Sequence, residues 1–199
     1  MIRCSSFPRS TSYKNSIPWA QAEAADLIRD GMTLGVSGFG AFASPDYVME
    51  AMSRKFKEQN TPRDLTIVSG VAPGDFVEDG CGLSKIRDEG IIRTLIASHL
   101  RMSPAIGRAC SENKIAAFSM PLGVYGQLLN AIGSKRPGII THVGLNTYAD
   151  PRQDGCKMNA LAKADGREMV ELIHVSGKDY LFYKAFHIDA CILHASYAD

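Results

Sequence analysis

The chain has 199 residues, 45% hydrophobic and 22% charged, an ordinary globular composition with enough length to bury a core. Its 22 Lys and Arg against 21 Asp and Glu leave a net charge of +1, so nothing draws it generally towards nucleic acid or an acidic membrane. No apolar run reaches the roughly 18 residues of a membrane span, and the cysteines, odd in number and without a CxxC pair, read as reduced thiols of a reducing compartment.

Residues 1–15 carry Arg3, Arg9 and Lys14 and no acid, and are expected to be a disordered or targeting leader. The first alternative leaves the protein cytoplasmic; the second sends it to an organelle matrix. From Ser16 to Gly31, Pro18 near the start, an Ala-rich body and the apolar pair Leu27 and Ile28 predict a helix of about three turns. Met32–Ser37 is a short apolar strand leading into glycines. Ser44–Asn60 reads as an amphipathic helix, with Ser44 as cap, Pro45 at the first position, and Val48, Met52 and Phe56 on one face. Acids lie early in it and bases late, which suits the helix dipole. Asp64–Ser69 is a second strand, Val71–Lys85 a glycine-rich loop, and Ile91–His99 a third strand. Ser103–Asn113 repeats the Ser-Pro helix start, Lys114–Pro121 is a fourth strand, and Val124–Lys135 is a helix that stops before Arg136-Pro137-Gly138. Gly138–Leu145 reads as another strand.

This alternation predicts an α/β domain with a mostly parallel open sheet flanked by helices. The C-terminal portion is β-rich, with Ser176-Gly177 marking a hairpin turn.

Three loops and one cluster are candidates for chemistry. Gly38-Phe39-Gly40-Ala41-Phe42-Ala43 follows a strand, where ligands of α/β sheets bind, and its bare backbone lets a ligand approach. It also fits the dinucleotide fingerprint GxGxxG/A, which makes an NAD-dependent oxidoreductase one alternative; a purely structural turn is another. Against the dinucleotide reading, the helix start falls after the glycines and the second strand ends in Ser69 instead of an acid. The second loop, "SMPLGVYG", offers the backbone of Leu122 and Gly123 at a helix start, and both loops are expected on the same sheet edge. The third, Gly144–Asn159, is long and polar; Asn146, Thr147, Asp150 and Arg152 suit either a small carboxylate or a partner surface. His187, Cys191 and His194 have the spacing HxxxCxxH, but apolar neighbours read as a buried strand that points His194 away from the other two, so no metal is expected.

Taken together and in order, "DGMTLGVSGFGAFASP", "SMPLGV", "THVGLNTYADPRQDGCKMN" and "YLFYKAFHIDACILHASYAD" resemble the family I CoA-transferases. The likeness is to the amino-terminal, α-subunit-like half of the fused acyl-CoA:acetate and 3-ketoacid enzymes, and it covers residues 16–199 as one domain. It implies transfer of coenzyme A between a short-chain acyl-CoA and a free acid such as acetate, with coenzyme A as substrate and no resident cofactor. A glutamate carboxylate would attack the thioester and form an acyl-glutamyl anhydride and then a glutamyl-CoA thioester. Gly38, Phe39, Gly40, Leu122 and Gly123 would line the acyl and oxyanion site, and Asn146 and Thr147 a carboxylate pocket.

Two departures stand out. The family's Glu-x-Gly nucleophile has no counterpart, since Glu89-Gly90 lies in an unrelated region. The chain alone is therefore expected to be inactive and to need a β-type half, either its own C-terminal part or a separate chain, in an oligomer. Leu122 stands where many relatives carry an oxyanion-binding glutamine, and leucine cannot donate. A decayed, non-catalytic binding module of the same fold is the other implied alternative.

Overall fold

The computed structural model describes residues 23–195. The expected leader and the first part of the opening helix lie outside them. Residues 23–26 are helical; Ala25 and Ile28 are buried, whereas Leu27 turns to solvent instead of sharing the apolar surface with Ile28. The strands and helices that follow are β1 (Thr33–Val36), α1 (Asp46–Gln59), β2 (Leu65–Val68), a short 3-10 helix (Gly82–Ile86), β3 (Ile92–Ala97), α2 (Pro104–Ser111), β4 (Ala116–Ser119), α3 (Leu122–Gly133), β5 (Gly138–Thr141), α4 (Ala160–Ala164), β6 (Val170–Val175), β7 (Lys178–Lys184) and β8 (Ala190–Ile192).

The main sheet has five strands in the order β4-β3-β2-β1-β8, and every neighbouring pair is parallel. Its strands read as continuous apolar runs because both faces are covered. On one face Leu34, Val36, Ile67, Leu95 and Ala117 pack with Met49 and Met52 of α1 and Ile106 and Cys110 of α2. On the other, Val68, Ile96 and Phe118 pack with Val124 and Leu128 of α3 and with Ile139, Leu181 and Tyr183 of a second sheet. That sheet is antiparallel, in the order β5-β7-β6, with a two-residue turn at Ser176 and Gly177 whose φ angles are both positive, as the hairpin reading required.

The structure redistributes several expected elements. Gly138–Leu145 does not extend the parallel sheet; only Gly138–Thr141 is strand, and it pairs with β7. A side chain at Gly138 would collide with the Tyr183 carbonyl and the Phe182 ring, so the glycine lets β5 lie close. Within the β-rich tail, Ala190–Ile192 leaves its neighbours and returns to the main sheet beside β1, with Ile192 opposite Val36. The loop 71–85 contains the first turn of the 3-10 helix, and α4 was not expected at all. Ser44 does not cap α1: Pro45 holds the cap position, and the Ser44 hydroxyl donates to Asp46 Oδ1 at 2.6 Å. That carboxylate also accepts from Gly82 N at 3.0 Å, pinning the 3-10 helix to the start of α1. Helix α3 begins at Leu122, two positions before the expected Val124.

The two borders of the main sheet differ. Beyond β4, Met158 N donates to Ala117 O at 2.9 Å and Ser119 N to Cys156 O at 2.8 Å, so an extended segment seals that side. Asn159 Oδ1 completes the seal by accepting from Ala117 N. Beyond β8, no strand pairs among the described residues. Nor is any helix among them long and apolar enough to cross a membrane.

Candidate functional site

Because the five strands run parallel, the loops after β1, β2, β3, β4 and β8 all open on one edge. The glycine loop leaves β1 there and folds into a tight turn. Phe39 N donates to Phe42 O at 3.0 Å and Phe42 N to Phe39 O at 3.1 Å. Gly40 takes φ 60° inside the turn, and the two rings stand out into solvent, Phe39 60% and Phe42 81% exposed. The Phe39 amide is therefore engaged locally, while among the described residues the amides of Gly38 and Gly40 have no backbone partner. Gly38, at φ 132°, lies against the next loop: a β-carbon there would stand 2.8 Å from Pro73 Cβ. Gly74 N donates to Gly40 O at 3.0 Å and fastens the two loops together. The bareness of Gly38 thus serves the contact between loops, and Gly40 is the more open position.

The first turn of α3 opens at the same edge. Its first i→i−4 bond is Tyr125 N to Pro121 O at 3.0 Å. The preceding amides of Leu122, Gly123 and Val124 therefore lack intrahelical partners and carry the positive end of the helix dipole. A β-carbon at Gly123 would meet nothing within 4 Å. Leu122 is half exposed, and its side chain and that of Tyr125 flank Gly70 at the exit of β2. Burial pushes the Tyr125 phenol pKa up, and neighbouring Cys191 adds to the rise.

The third loop is organised around Asp150, which is completely buried. Its carboxylate accepts from Arg152 Nη2 at 2.7 Å and Nε at 3.0 Å, from Arg152 N at 3.0 Å and from Asn146 N at 2.9 Å. The Arg152 guanidinium bonds, aided by these backbone amides, hold the carboxyl well below the usual range against the opposing effect of burial. Arg152 also reaches Asp179 at 3.3 Å. Thr147 Oγ1 donates to Gly144 O at 2.8 Å, and Asn146 sits in the left-handed region at φ 58°. Asn146, Thr147, Asp150 and Arg152 thus hold the loop's own shape.

What this loop presents at the edge is Tyr148, a residue not singled out from the sequence. It is 45% exposed, and its hydroxyl lies 3.3 Å from Ser119 Oγ at the end of β4. Ser119 belongs to a row of serines at the strand exits. Ser119 Oγ donates to Ser98 O at 2.8 Å, Ser98 Oγ to Gly70 O, Ser69 Oγ to Val36 O at 3.1 Å and Ser37 Oγ to Ala43 O at 2.8 Å. The signal was available: "GVS", "IVS", "IAS" and "AFS" close the four successive strands.

Other sequence candidates lie elsewhere. Glu89 is on the amino side of β3, opposite the loop edge, and faces Lys114 at 3.5 Å. Of HxxxCxxH only Cys191 is in a strand; His187 is strongly exposed and contacts Asp189, and among the described residues no three His, Cys, Asp or Glu converge as a metal site. Helix α1 begins at Asp46, past all the glycines, and Ser69 is buried against β1, a geometry unlike a dinucleotide site. A groove of about 180 Å³ floored by Ile86, Ile92, Ala105 and Ile115 lies towards the amino ends of the strands.

Comparison with known proteins places the chain in a family. Residues 19–199 match the family described as Coenzyme A transferase. Caffeate CoA-transferase from Acetobacterium woodii is 41% identical over 177 residues, which cover 89% of this chain and 33% of that protein. The acetate CoA-transferase subunit alpha of Escherichia coli K12 is 25% identical, with 89% of this chain and 69% of the subunit covered. The crystal structure of the acyl-CoA transferase YdiF apoenzyme from Escherichia coli O157:H7 superposes with a TM-score of 0.81 at 34% identity, covering 87% of this chain and 33% of that one. The chain spans about a third of the length of the caffeate and YdiF enzymes. With a family match running over nearly its whole length, the protein belongs to the coenzyme A transferase family.

Proposed function

We propose that this chain is the α-type part of an acyl-CoA:carboxylate CoA-transferase, exchanging coenzyme A between a short-chain acyl-CoA and a free acid such as acetate. The attacking glutamate comes from a β-type part, either further along the same polypeptide or on a separate chain. The observation that carries this reading is the shared sheet edge on which the glycine loop and the partnerless first-turn amides of α3 both open. Thioester exchange passes through tetrahedral intermediates whose oxyanion needs fixed donors. The Leu122 and Gly123 amides, unpartnered at the start of α3, would be those donors and carry the dipole's sign. Phe39 and Phe42 act as walls that keep water from the acyl group, and Gly40 leaves room beside them. Glu89, paired with Lys114 on the far side, takes no part.

Coenzyme A enters and leaves as substrate. Free thiols at Cys81, Cys110, Cys156 and Cys191 suit a reducing cytoplasm or organelle matrix. The caffeate relative adds a flat aromatic acid to the acceptors worth assaying. The test is acyl-CoA:acetate exchange by the purified chain, alone and co-expressed with the β-type part from the same genome. The lone chain is expected to give none and the pair to turn over; exchange by the lone chain overturns the division of labour. The non-catalytic alternative draws on Leu122, which brings no side-chain donor, and would show as binding of acyl-CoA by the pair without turnover.

A further inference from the structure

We propose that Tyr148 is a catalytic residue, its hydroxyl donating a hydrogen bond to the oxyanion that forms beside the first turn of α3. This rests on the CoA-transferase reading above. In the step concerned, a carboxylate oxygen bonds to the thioester carbon and the carbonyl π pair moves onto oxygen. The C–S bond breaks only when that pair returns and expels the coenzyme A thiolate. Tyr148 supplies a hydrogen bond throughout and gives up no proton.

Position is the first support. Tyr148 meets Ser119, the last residue of β4, and only Met120 and Pro121 separate Ser119 from α3. The second is availability. Ser119 has one proton and aims it at Ser98 O at 2.8 Å, while its contact with Tyr148 is long at 3.3 Å. The only acceptor the serine offers the phenol is its own hydroxyl oxygen, and an oxyanion is a far better acceptor than a serine hydroxyl. The third is rigidity. Cys156 N donates to Tyr148 O at 3.1 Å, and the buried Asp150 fixes the loop on both sides of the tyrosine. A donor held in advance costs little reorganisation when charge develops. The fourth is need: Leu122, half exposed at the same turn, has no polar atom on its side chain.

The experiment uses the enzyme assembled with its β-type part and measures exchange kinetics and thermal midpoints. Tyr148→Phe is expected to lower kcat about a hundredfold, the usual loss of one oxyanion donor, with KM nearly unchanged. Adding Leu122→Gln to Tyr148→Phe supplies a carboxamide from α3 and is expected to restore about tenfold of that loss. A purely structural role would not be rescued by a donor on another element. An unchanged rate in Tyr148→Phe overturns the proposal while leaving the transferase reading intact. A loss that Leu122→Gln does not recover also overturns it. A wild-type pair that performs no exchange overturns the underlying reading and this one with it.

Discussion

A carboxylate shut away from water is costly unless its oxygens are filled. Among the described residues Asp150 meets that condition with donors from two, Asn146 and Arg152. Asp150→Ala should therefore destabilise the fold by about 2–3 kcal/mol, seen as a lower urea midpoint. Its folded pKa is depressed, so the stabilisation is complete above the unfolded value of about 4 and is lost only as pH falls through the lower folded value. The gap between wild type and Asp150→Asn should stay constant from neutral pH down to about 4 and narrow below it. None of this was legible in "NTYADPR", because a polar loop has the same composition whether its side chains face a ligand or one another. Gly38 was only half legible. Its need for bare backbone follows from the glycine cluster, but Pro73 as the reason is a contact between distant loops. Gly38→Val, at positive φ and against that ring, should cost about 2 kcal/mol or more, whereas the more open Gly40→Ala should cost about 1.

Gly123 sets helix stability against access. With open space around it, Gly123→Ala should firm up α3 by about 0.5 kcal/mol, yet slow exchange by placing a methyl beside the amide proposed to face the ligand. A raised thermal midpoint together with a lowered kcat in the assembled enzyme is the expected signature; a raised midpoint with an unchanged kcat would remove α3 from the site. Asn159 shows how much one side chain can organise. It caps α4 by accepting from Ala162 N, accepts from Ala117 N, and donates to Cys110 O and Ile115 O. Asn159→Ala is expected to cost about 2 kcal/mol in a urea titration. Helices α1 and α2 and strands β1 to β4 were legible because periodic or continuous apolar runs and Ser-Pro starts repeat along the chain. Helix α4 has five residues, too few for a period to appear, and its cap lies at the end of a loop already read as irregular. Which sheet β5 joins and which β8 joins depends on partners far away in sequence, which local pattern does not name.

Among the described residues, Phe39, Phe42 and Phe76 face solvent at the loop edge. Surface of that kind favours association. Phe39→Ser combined with Phe42→Ser should reduce concentration-dependent self-association in light scattering without altering the circular dichroism spectrum; unchanged scattering would assign association to another surface. The parallel order and shared edge followed from alternation of strand and helix, so the edge to which the site is assigned by proposal was readable from the sequence.

The unequal borders of the main sheet limit how copies can join through it. Among the described residues the hydrogen-bonding groups beyond β4 are already taken, so edge-to-edge zipping of the main sheet is open only along β8. Two molecules meeting there would cover the open strand of both central sheets at once. A third could not extend the array by the same bonds, so this route ends in a closed pair and not in a fibre.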